Sequence, residues 1–353
     1  MQQIDAQGMR NENFYRLLYD WYAINHRVLP WRETTDAYSI WLSEIILQQT
    51  RVAQGLEYYH RFVSTYPTVD ALASASEDEV LRLWQGLGYY SRARNMHKAA
   101  KQIMESGKWK VEGFPNTFDD LRALPGVGEY TAGAIASFAY NLPYPALDGN
   151  VYRVLARLFD CDTAFDTAAG KKYFHRLAEQ LLDCEQPRLF NSAIMEFGAL
   201  HCLPQSPDCA SCPLQAFCKA YAAGTVEVLP VRKPRPALRD RYFSYTLYIT
   251  PEHKTLIRQR REKDIWQHLY EFPLVEHTSE AEWIACQPAA GNKQATALPA
   301  ITHILSHQRL HARFYIVPVD VLPPLPDTIA VTWEDLDDYA LSRLTLKALE
   351  KIG

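Results

Sequence analysis

Four cysteines, Cys202, Cys209, Cys212 and Cys218, follow one another as C-x6-C-x2-C-x5-C. A single cysteine in a core is a small apolar filler. Four within 17 residues, with Pro204, Pro207 and Pro213 preventing a helix between them, form a ligand set. Structural zinc sites usually place two cysteine pairs either side of a longer stretch, whereas one compact all-cysteine run suits an iron–sulfur cluster. Spacing alone therefore ranks a 4Fe-4S cluster ahead of zinc, and both ahead of a disulfide knot. Cys161, Cys184 and Cys286, the remainder of the seven, are expected to be structural.

A second chemical signal runs from Leu121 to Ile135, LRALPGVGEYTAGAI. A helix, the turn L-P-G-V-G and a second helix predict a helix–hairpin–helix. Gly126 and Gly128 let the backbone turn tightly and approach a ligand. The amides of Val127, Gly128 and Glu129 open the second helix, where the positive end of the helix suits a DNA phosphate. The plainer alternative is an ordinary joint between two packed helices. Gln85-Gly-Leu-Gly-Tyr-Tyr90 is a looser echo, in which Tyr89 and Tyr90 either meet DNA bases or fill a layer between helices.

These residues need a scaffold, and the chain supplies two textures. Its 353 residues suggest two or three domains, and 48% apolar content is enough to build their cores. Periodicity predicts helices near 11–25, from an Asp36 N-cap through Trp41, Ile45 and Val52, and near 77–84, 90–106, 117–122, 129–141, 150–159, 168–183 and 188–201. The Pro-rich basic stretch Leu229–Pro236 reads as an extended linker. Beyond it, Tyr242–Ile249 and Leu310–Pro318 are rich in aromatic and β-branched residues and read as strands, with a polar helix from Trp333 onward. The expected class is mainly α: a helical domain over 1–225, a linker over 226–240 and a smaller α+β domain over 241–353. A formal charge of −4 neither marks nor excludes a nucleic-acid partner. With no apolar signal segment and no run of membrane-spanning length, a soluble, cytoplasmic monomer is expected, nucleoid-associated if bacterial, with no membrane partner.

The hairpin, the stretch Leu147-Asp-Gly-Asn-Val-Tyr-Arg-Val154 and the cysteine run together resemble the endonuclease III-like superfamily of DNA glycosylases. Ser43-Glu-Ile-Ile-Leu-Gln-Gln-Thr50 and the C-terminal extension look like its MutY adenine glycosylase branch. The resemblance is close over 13–225 and looser beyond. It implies a six-helix barrel over about 31–143, a cluster subdomain from 1–30 plus 144–225, and one 4Fe-4S cluster on the four cysteines. It also implies duplex DNA with adenine opposite 8-oxoguanine or guanine as the substrate. Cleaving a glycosidic bond to a stacked base requires flipping it out. Because adenine leaves poorly unless protonated, the chemistry wants one protonated carboxyl and one carboxylate. Glu44, on an apolar helix where burial would raise its pKa, matches the family acid that protonates adenine N7 and later activates water. Asp148 matches the carboxylate that steadies the sugar cation; Asp148 or Asn150 is also a candidate N-cap for the helix beginning near Val151, a role that would keep Asp148 ionised. Tyr130 stands where superfamily members that cut the strand carry a nucleophilic lysine. With Asn150 it is expected to hydrogen-bond around the aspartate, giving base removal without efficient strand scission.

By the same resemblance Arg27, Trp31 and Arg32 line the adenine pocket, and Gln49 and Tyr89 insert beside the opposite base. Ser192 is a departure, since MutY proteins often place glutamine or glutamate there. A serine reaches less far, so water-mediated contact with adenine is one expectation and a purely structural Glu196 another. The C-terminal domain resembles the Nudix-like domain of MutY. There Leu305, Ser306 and His307 align with an 8-oxoguanine-reading loop whose phenylalanine is replaced by Leu305, and a leucine has no π-face to stack. The REx2EExG core of catalytic Nudix domains is absent, so lesion reading without hydrolysis is expected there. The competing readings are a bifunctional endonuclease III-type enzyme acting on oxidised pyrimidines, opposed by Tyr130, a non-catalytic lesion-binding protein, opposed by Glu44 and Asp148, and an electron-transfer iron–sulfur protein, opposed by the DNA hairpin.

Overall fold

A computed structural model describes residues 11–107, 109, 113–234, 236–286 and 295–352. They fall into two compact units, one within Met1–Ala73 and Lys98–Pro234, the other within Ser74–His97 and Arg235–Gly353.

The first unit is helical, and side-chain caps set where its helices start. Asn11, Asp36, Thr117, Asp148 and Thr167 each accept a backbone N–H of the first turn of Glu12–Asn25, Ala37–Leu47, Phe118–Arg122, Gly149–Phe159 and Ala168–Leu181, satisfying donors that a helix start otherwise leaves open. Pro187–Leu200 begins instead with proline, whose missing N–H is no loss there. The Ala37–Leu47 helix is buried almost throughout. Tyr38, Ile40, Trp41, Leu42, Ile45 and Ile46 fill its surroundings, each contributing about 1.5–3 kcal/mol on burial. Against it lies Glu129–Tyr140, whose small residues Ala132, Ala134 and Ala136 are fully buried. Gly133 permits this helix to meet the 144–146 segment, because a Cβ there would stand 2.7 Å from the Pro145 carbonyl oxygen.

One expected helix is two. The stretch read as continuous from Asp36 through Val52 stops at Leu47 and restarts as Val52–Thr65. Gln49 sits at φ 59 in the left-handed region, and the Thr50 amide closes a turn on the Leu47 carbonyl at 3.1 Å. Gly55 lets the second helix lie against the end of the first, where a Cβ would stand 2.6 Å from Leu47 Cδ2.

The second unit combines the expected α+β segment with residues 74–97. Strands β1 (Arg239–Ile249), β2 (Lys254–Gln259), β3 (Tyr270–Glu271), β4 (Leu274–His277), β5 (Thr296–Ala297), β6 (Ile301–Ile304), β7 (Gln308–Pro318) and β8 (Thr328–Thr332) form two sheets. In the first, β1 and β7 run parallel with Tyr245 opposite Phe314, β4 flanks β1, and β5 and β6 pair antiparallel with β7. The second has the order β3-β2-β8. Phe243, Tyr245, Leu247, Phe272 and Phe314 form the core with Leu344 and Ala348 of the closing helix Arg343–Leu349. Residues 74–97 join this unit through polar ties. Tyr90 Oη donates to the Leu341 carbonyl at 3.2 Å, Gln85 Oε1 accepts from the Leu341 amide at 2.9 Å, and Arg94 Nη1 donates to the Gln267 carbonyl at 2.6 Å. No helix among the described residues is long and apolar enough to cross a membrane.

Candidate active site

The Glu44 helix, the start of the Tyr130 helix and the Asp148 cap converge on one cavity of about 800 Å³ in the first unit. Arg27, Trp31, Arg32, Gln49 and Asn150 also line it, so the structure brings most of the expected residues of this unit together.

Glu44 is 7% exposed. Burial pushes its carboxyl up to about 7, against the Tyr130 hydroxyl that donates to it and the nearby Arg32, both of which favour the charged form. Burial likewise raises the Tyr130 hydroxyl well above the usual tyrosine range, with the neighbouring carboxyls adding to the effect. Asp148 is held differently. Its Oδ1 accepts the amides of Asn150 and Val151 at 2.9 and 2.8 Å, and its Oδ2 accepts the Asn150 side-chain amide at 2.7 Å. Burial raises the Asp148 carboxyl from its ordinary value while these bonds pull the other way. Three N–H donors on two oxygens suit a carboxylate. The two acids thus share a cavity with opposite partners: a hydroxyl for one, a helix start for the other.

Three features escaped sequence reasoning. Arg153 joins the Asp148 cap to the thiol loop: its Nη2 donates to Asn150 Oδ1 at 2.9 Å and its Nε to the Cys202 carbonyl at 2.8 Å. One turn on, Arg157 is 1% exposed and donates to the Leu203 carbonyl at 2.6 Å and toward Cys202 Sγ at 3.3 Å. The available signal was two arginines four apart inside an otherwise apolar helix, Val151, Val154, Leu155 and Leu158. Third, Gly198 allows the Pro187–Leu200 helix to touch Asn150, since a Cβ there would lie 2.8 Å from Asn150 Cβ and 2.9 Å from its carbonyl oxygen.

Two expectations need correction. Ser192 does not reach the carboxylate cavity. It lines a neighbouring one, and Glu196, one turn further along the same helix, lines the main cavity instead. Glu196 is 3% exposed. Burial alone would raise it, but Arg27 donates to it from Nε at 2.6 Å, Nη2 at 2.9 Å and its backbone amide at 3.1 Å, holding the carboxyl below its ordinary value. The second correction concerns the hairpin. Gly126 takes φ 77, as the turn requires, but the Val127 amide is donated to the Leu124 carbonyl at 3.1 Å and is not offered to a phosphate. Gly128 is the N-cap, no side chain caps this helix, and the space beside Gly128 is open, so the helix's positive end begins at Gly128.

Outside this cavity, Tyr89 is 48% exposed and, like Gln49, left-handed, at φ 50. Leu305, Ser306 and His307 form the tip of the β6–β7 hairpin. Leu305 packs back on the core while Ser306 and His307 are exposed, with Ser306 Oγ 3.1 Å from His307 Nδ1.

Cys202, Cys209, Cys212 and Cys218 border one small cavity with Val154, Leu158 and Phe197, and none is in a disulfide. Among the described residues no three metal-binding side chains converge closely enough to hold a single ion. Four free thiols around a shared apolar space, with the Arg157 guanidinium beside Cys202, fit an anionic thiolate-bound cluster.

Residues 42–184 match the HhH-GPD superfamily base excision DNA repair protein family, and residues 244–351 match the NUDIX domain. The adenine DNA glycosylase of Buchnera aphidicola subsp. Schizaphis graminum is 34% identical over 308 residues, 87% of this chain and 86% of its own. That of Rattus norvegicus is 34% identical over 395 residues, 93% of this chain and 76% of its own. Among solved structures, a thermostable thymine-DNA glycosylase superposes with a TM-score of 0.56 at 25% identity, covering 62% of this chain and 100% of that one. A trapped endonuclease III–DNA covalent intermediate does so at 0.52 and 25%, covering 63% and 99%. With two acids lining one cavity and relatives of this extent, the chain belongs to the adenine DNA glycosylases of the HhH-GPD superfamily of base excision DNA repair proteins.

Proposed function

We propose that this adenine DNA glycosylase removes adenine opposite 8-oxoguanine, and adenine opposite guanine, without efficient strand cleavage. The observation that carries the chemistry is the pairing of Glu44, whose carboxyl burial pushes up to about 7, with Asp148, which accepts three N–H donors in the same cavity. Near neutral pH a large fraction of Glu44 holds a proton to give. That proton goes to N7 of the flipped adenine. The C1′–N9 bond then breaks with its electron pair moving onto the base, and Asp148 steadies the positive sugar. Glu44, now a carboxylate, takes a proton from water as its oxygen adds to C1′, leaving free adenine and an abasic site. Tyr130 and Asn150 hold the two acids in place. Tyr130 has no amine to attack the sugar, so no Schiff base forms and the strand stays intact.

Gly126 and Gly128 shape the hairpin that takes a DNA phosphate. Gln49 and Tyr89 reach the base pair from left-handed turns, and exposed Ser306 and His307 read the oxidised guanine. Cys202, Cys209, Cys212 and Cys218 would hold a 4Fe-4S cluster, which would act as a cross-link fixing the loop that Arg153 and Arg157 brace. We assign the helical region to excision and the Nudix-like region from about 241 to lesion reading, joined by the 226–240 linker.

Single-turnover excision from matched duplexes tests this reading. One carries adenine opposite 8-oxoguanine, the other adenine opposite thymine, each with and without alkali. Strand breaks are expected only after alkali and only in the lesion duplex. Breaks without alkali would assign a lyase activity. Equal rates on both duplexes would remove Ser306 and His307 from lesion reading.

A further inference from the structure

Beside the carboxylate cavity lies a second chamber of about 150 Å³. Trp31 and Arg32 belong to the walls of both. The two spaces follow one helix: Glu196 lines the first, and Ser192, four residues earlier and so on the same face, lines the second. Ser192 is 5% exposed, and its short side chain leaves the chamber open. Tyr22, Phe138 and Leu189 supply the apolar part of its wall. Its two cations are already engaged. Arg188 Nη2 donates to the Thr34 carbonyl at 2.9 Å, and the Arg32 guanidinium lies 4.9 Å from the centre of the Phe138 ring. The chamber therefore offers room and aromatic surface to a neutral, compact group, with no free charge calling for an anion.

We infer that this chamber admits a substituent on the exocyclic amine of the target base, so that the enzyme excises N6-alkylated adenines as well as adenine. This rests on the proposed assignment of Glu44 as the acid at N7. Adenine carries N7 and its exocyclic amine on one edge. Arg32, whose charge acts on Glu44, is one of the two side chains shared by both chambers. An adenine with N7 toward Glu44 turns its amine along the Trp31–Arg32 wall, where an alkyl group runs into the second chamber. A pocket closed at that edge would reject each added methylene by a factor of about 10 or more; an open one would not.

The test is single-turnover excision of N6-propyladenine opposite 8-oxoguanine, run beside unmodified adenine. The wild-type enzyme is expected to excise the two within about tenfold of each other. Leu189→Phe, which fills the chamber away from the carboxylates, should leave adenine excision unchanged and slow N6-propyladenine by at least about tenfold. Ser192→Gln, filling it from the next turn of the same helix, should lower the same ratio. Adenine excised normally while N6-propyladenine is about a thousandfold slower in wild type would overturn the inference alone, as would a ratio untouched by both substitutions. Failure to excise either base would overturn the acid assignment and this inference together.

Discussion

The Tyr130 hydroxyl donates a hydrogen bond to the Glu44 carboxyl within the cavity that Asp148 also lines. It favours the carboxylate form of Glu44 and so restrains the rise that burial imposes. Catalysis needs the protonated form, so the single-turnover rate should fall as pH rises through about 7. Tyr130→Phe removes the restraint. The alkaline limb should then move to higher pH even where the maximal rate drops. A pH–rate profile of the two proteins decides the matter; a limb that stays put or moves down would separate Tyr130 from the control of Glu44.

The same burial makes Glu44 a liability for folding. In the unfolded chain it ionises near its ordinary value of 4.5, while in the fold it keeps its proton to about 7. Between those values the unfolded state loses a proton that the folded state retains, so stability falls as pH rises through this window and the full penalty is present above it. Glu44→Gln should therefore be more stable than wild type above pH 7, by about 2–3 kcal/mol, with the difference vanishing below pH 4.5. Excision should be nearly abolished. Urea unfolding at pH 4 and pH 8 would measure this, and equal differences at the two values would contradict it.

Arg27 and Glu196 form a polar tie in the wall of the cavity, through two guanidinium bonds and one backbone bond. Arg27→Ala strands a nearly buried carboxylate. Discounted for the 38% exposure of the Arg27 side chain, the loss should be about 2 kcal/mol at neutral pH. Because Arg27 holds Glu196 below its ordinary value, the stabilisation should fade as pH falls through that lowered pKa. Adding Glu196→Gln removes the stranded charge, so the double variant should recover part of the loss. A double-mutant cycle in urea gives the coupling; strictly additive effects would show that the pair does not act as one.

Local spacing made much of this molecule legible. Asp148 and Asn150, just ahead of an apolar helical run, announce an N-cap, and the structure gives that place to Asp148. Six residues between Cys202 and Cys209, with prolines among them, announce a loop rather than a helix. Partnerships across distance were not legible. Nothing near Glu196 indicates that Arg27, 169 residues away, determines its charge state. Arg153 reads as one of two arginines in an otherwise apolar helix until the fold brings the Cys202 carbonyl to it. The break after Leu47 was hidden for another reason. No glycine or proline marks it, and Gln49 takes a conformation that an unbranched polar residue can tolerate but does not advertise. The tie of residues 74–97 to the rest of the second unit includes the Leu341 amide bonded to Gln85, the Tyr90 hydroxyl bonded to the Leu341 carbonyl, Arg94 bonded to the Gln267 carbonyl and the Arg82–Asp338 ion pair, none of which has a signature in periodicity.

Gly198 sets how closely the Pro187–Leu200 helix approaches the Asp148 cap. A methyl group at this position would meet Asn150 Cβ at 2.8 Å and the Asn150 carbonyl oxygen at 2.9 Å, and the latter is backbone that cannot rotate away. The helices must part by some tenths of an ångström. Asn150 donates to Asp148 and accepts from Arg153, so the shift reaches the carboxylate on one side and the thiol loop on the other. Overpacking of this kind costs about 1–3 kcal/mol, partly offset because alanine favours a helix by up to about 1 kcal/mol over glycine. Gly198→Ala should therefore lose only about 1–2 kcal/mol in urea unfolding. Its excision rate should drop by more than tenfold, since a catalytic carboxylate displaced by a fraction of an ångström loses its alignment with the sugar. DNA affinity, which the proposed function assigns to the hairpin, should hold. If excision falls no further than affinity does, the contact between Gly198 and Asn150 is packing and does not position Asp148.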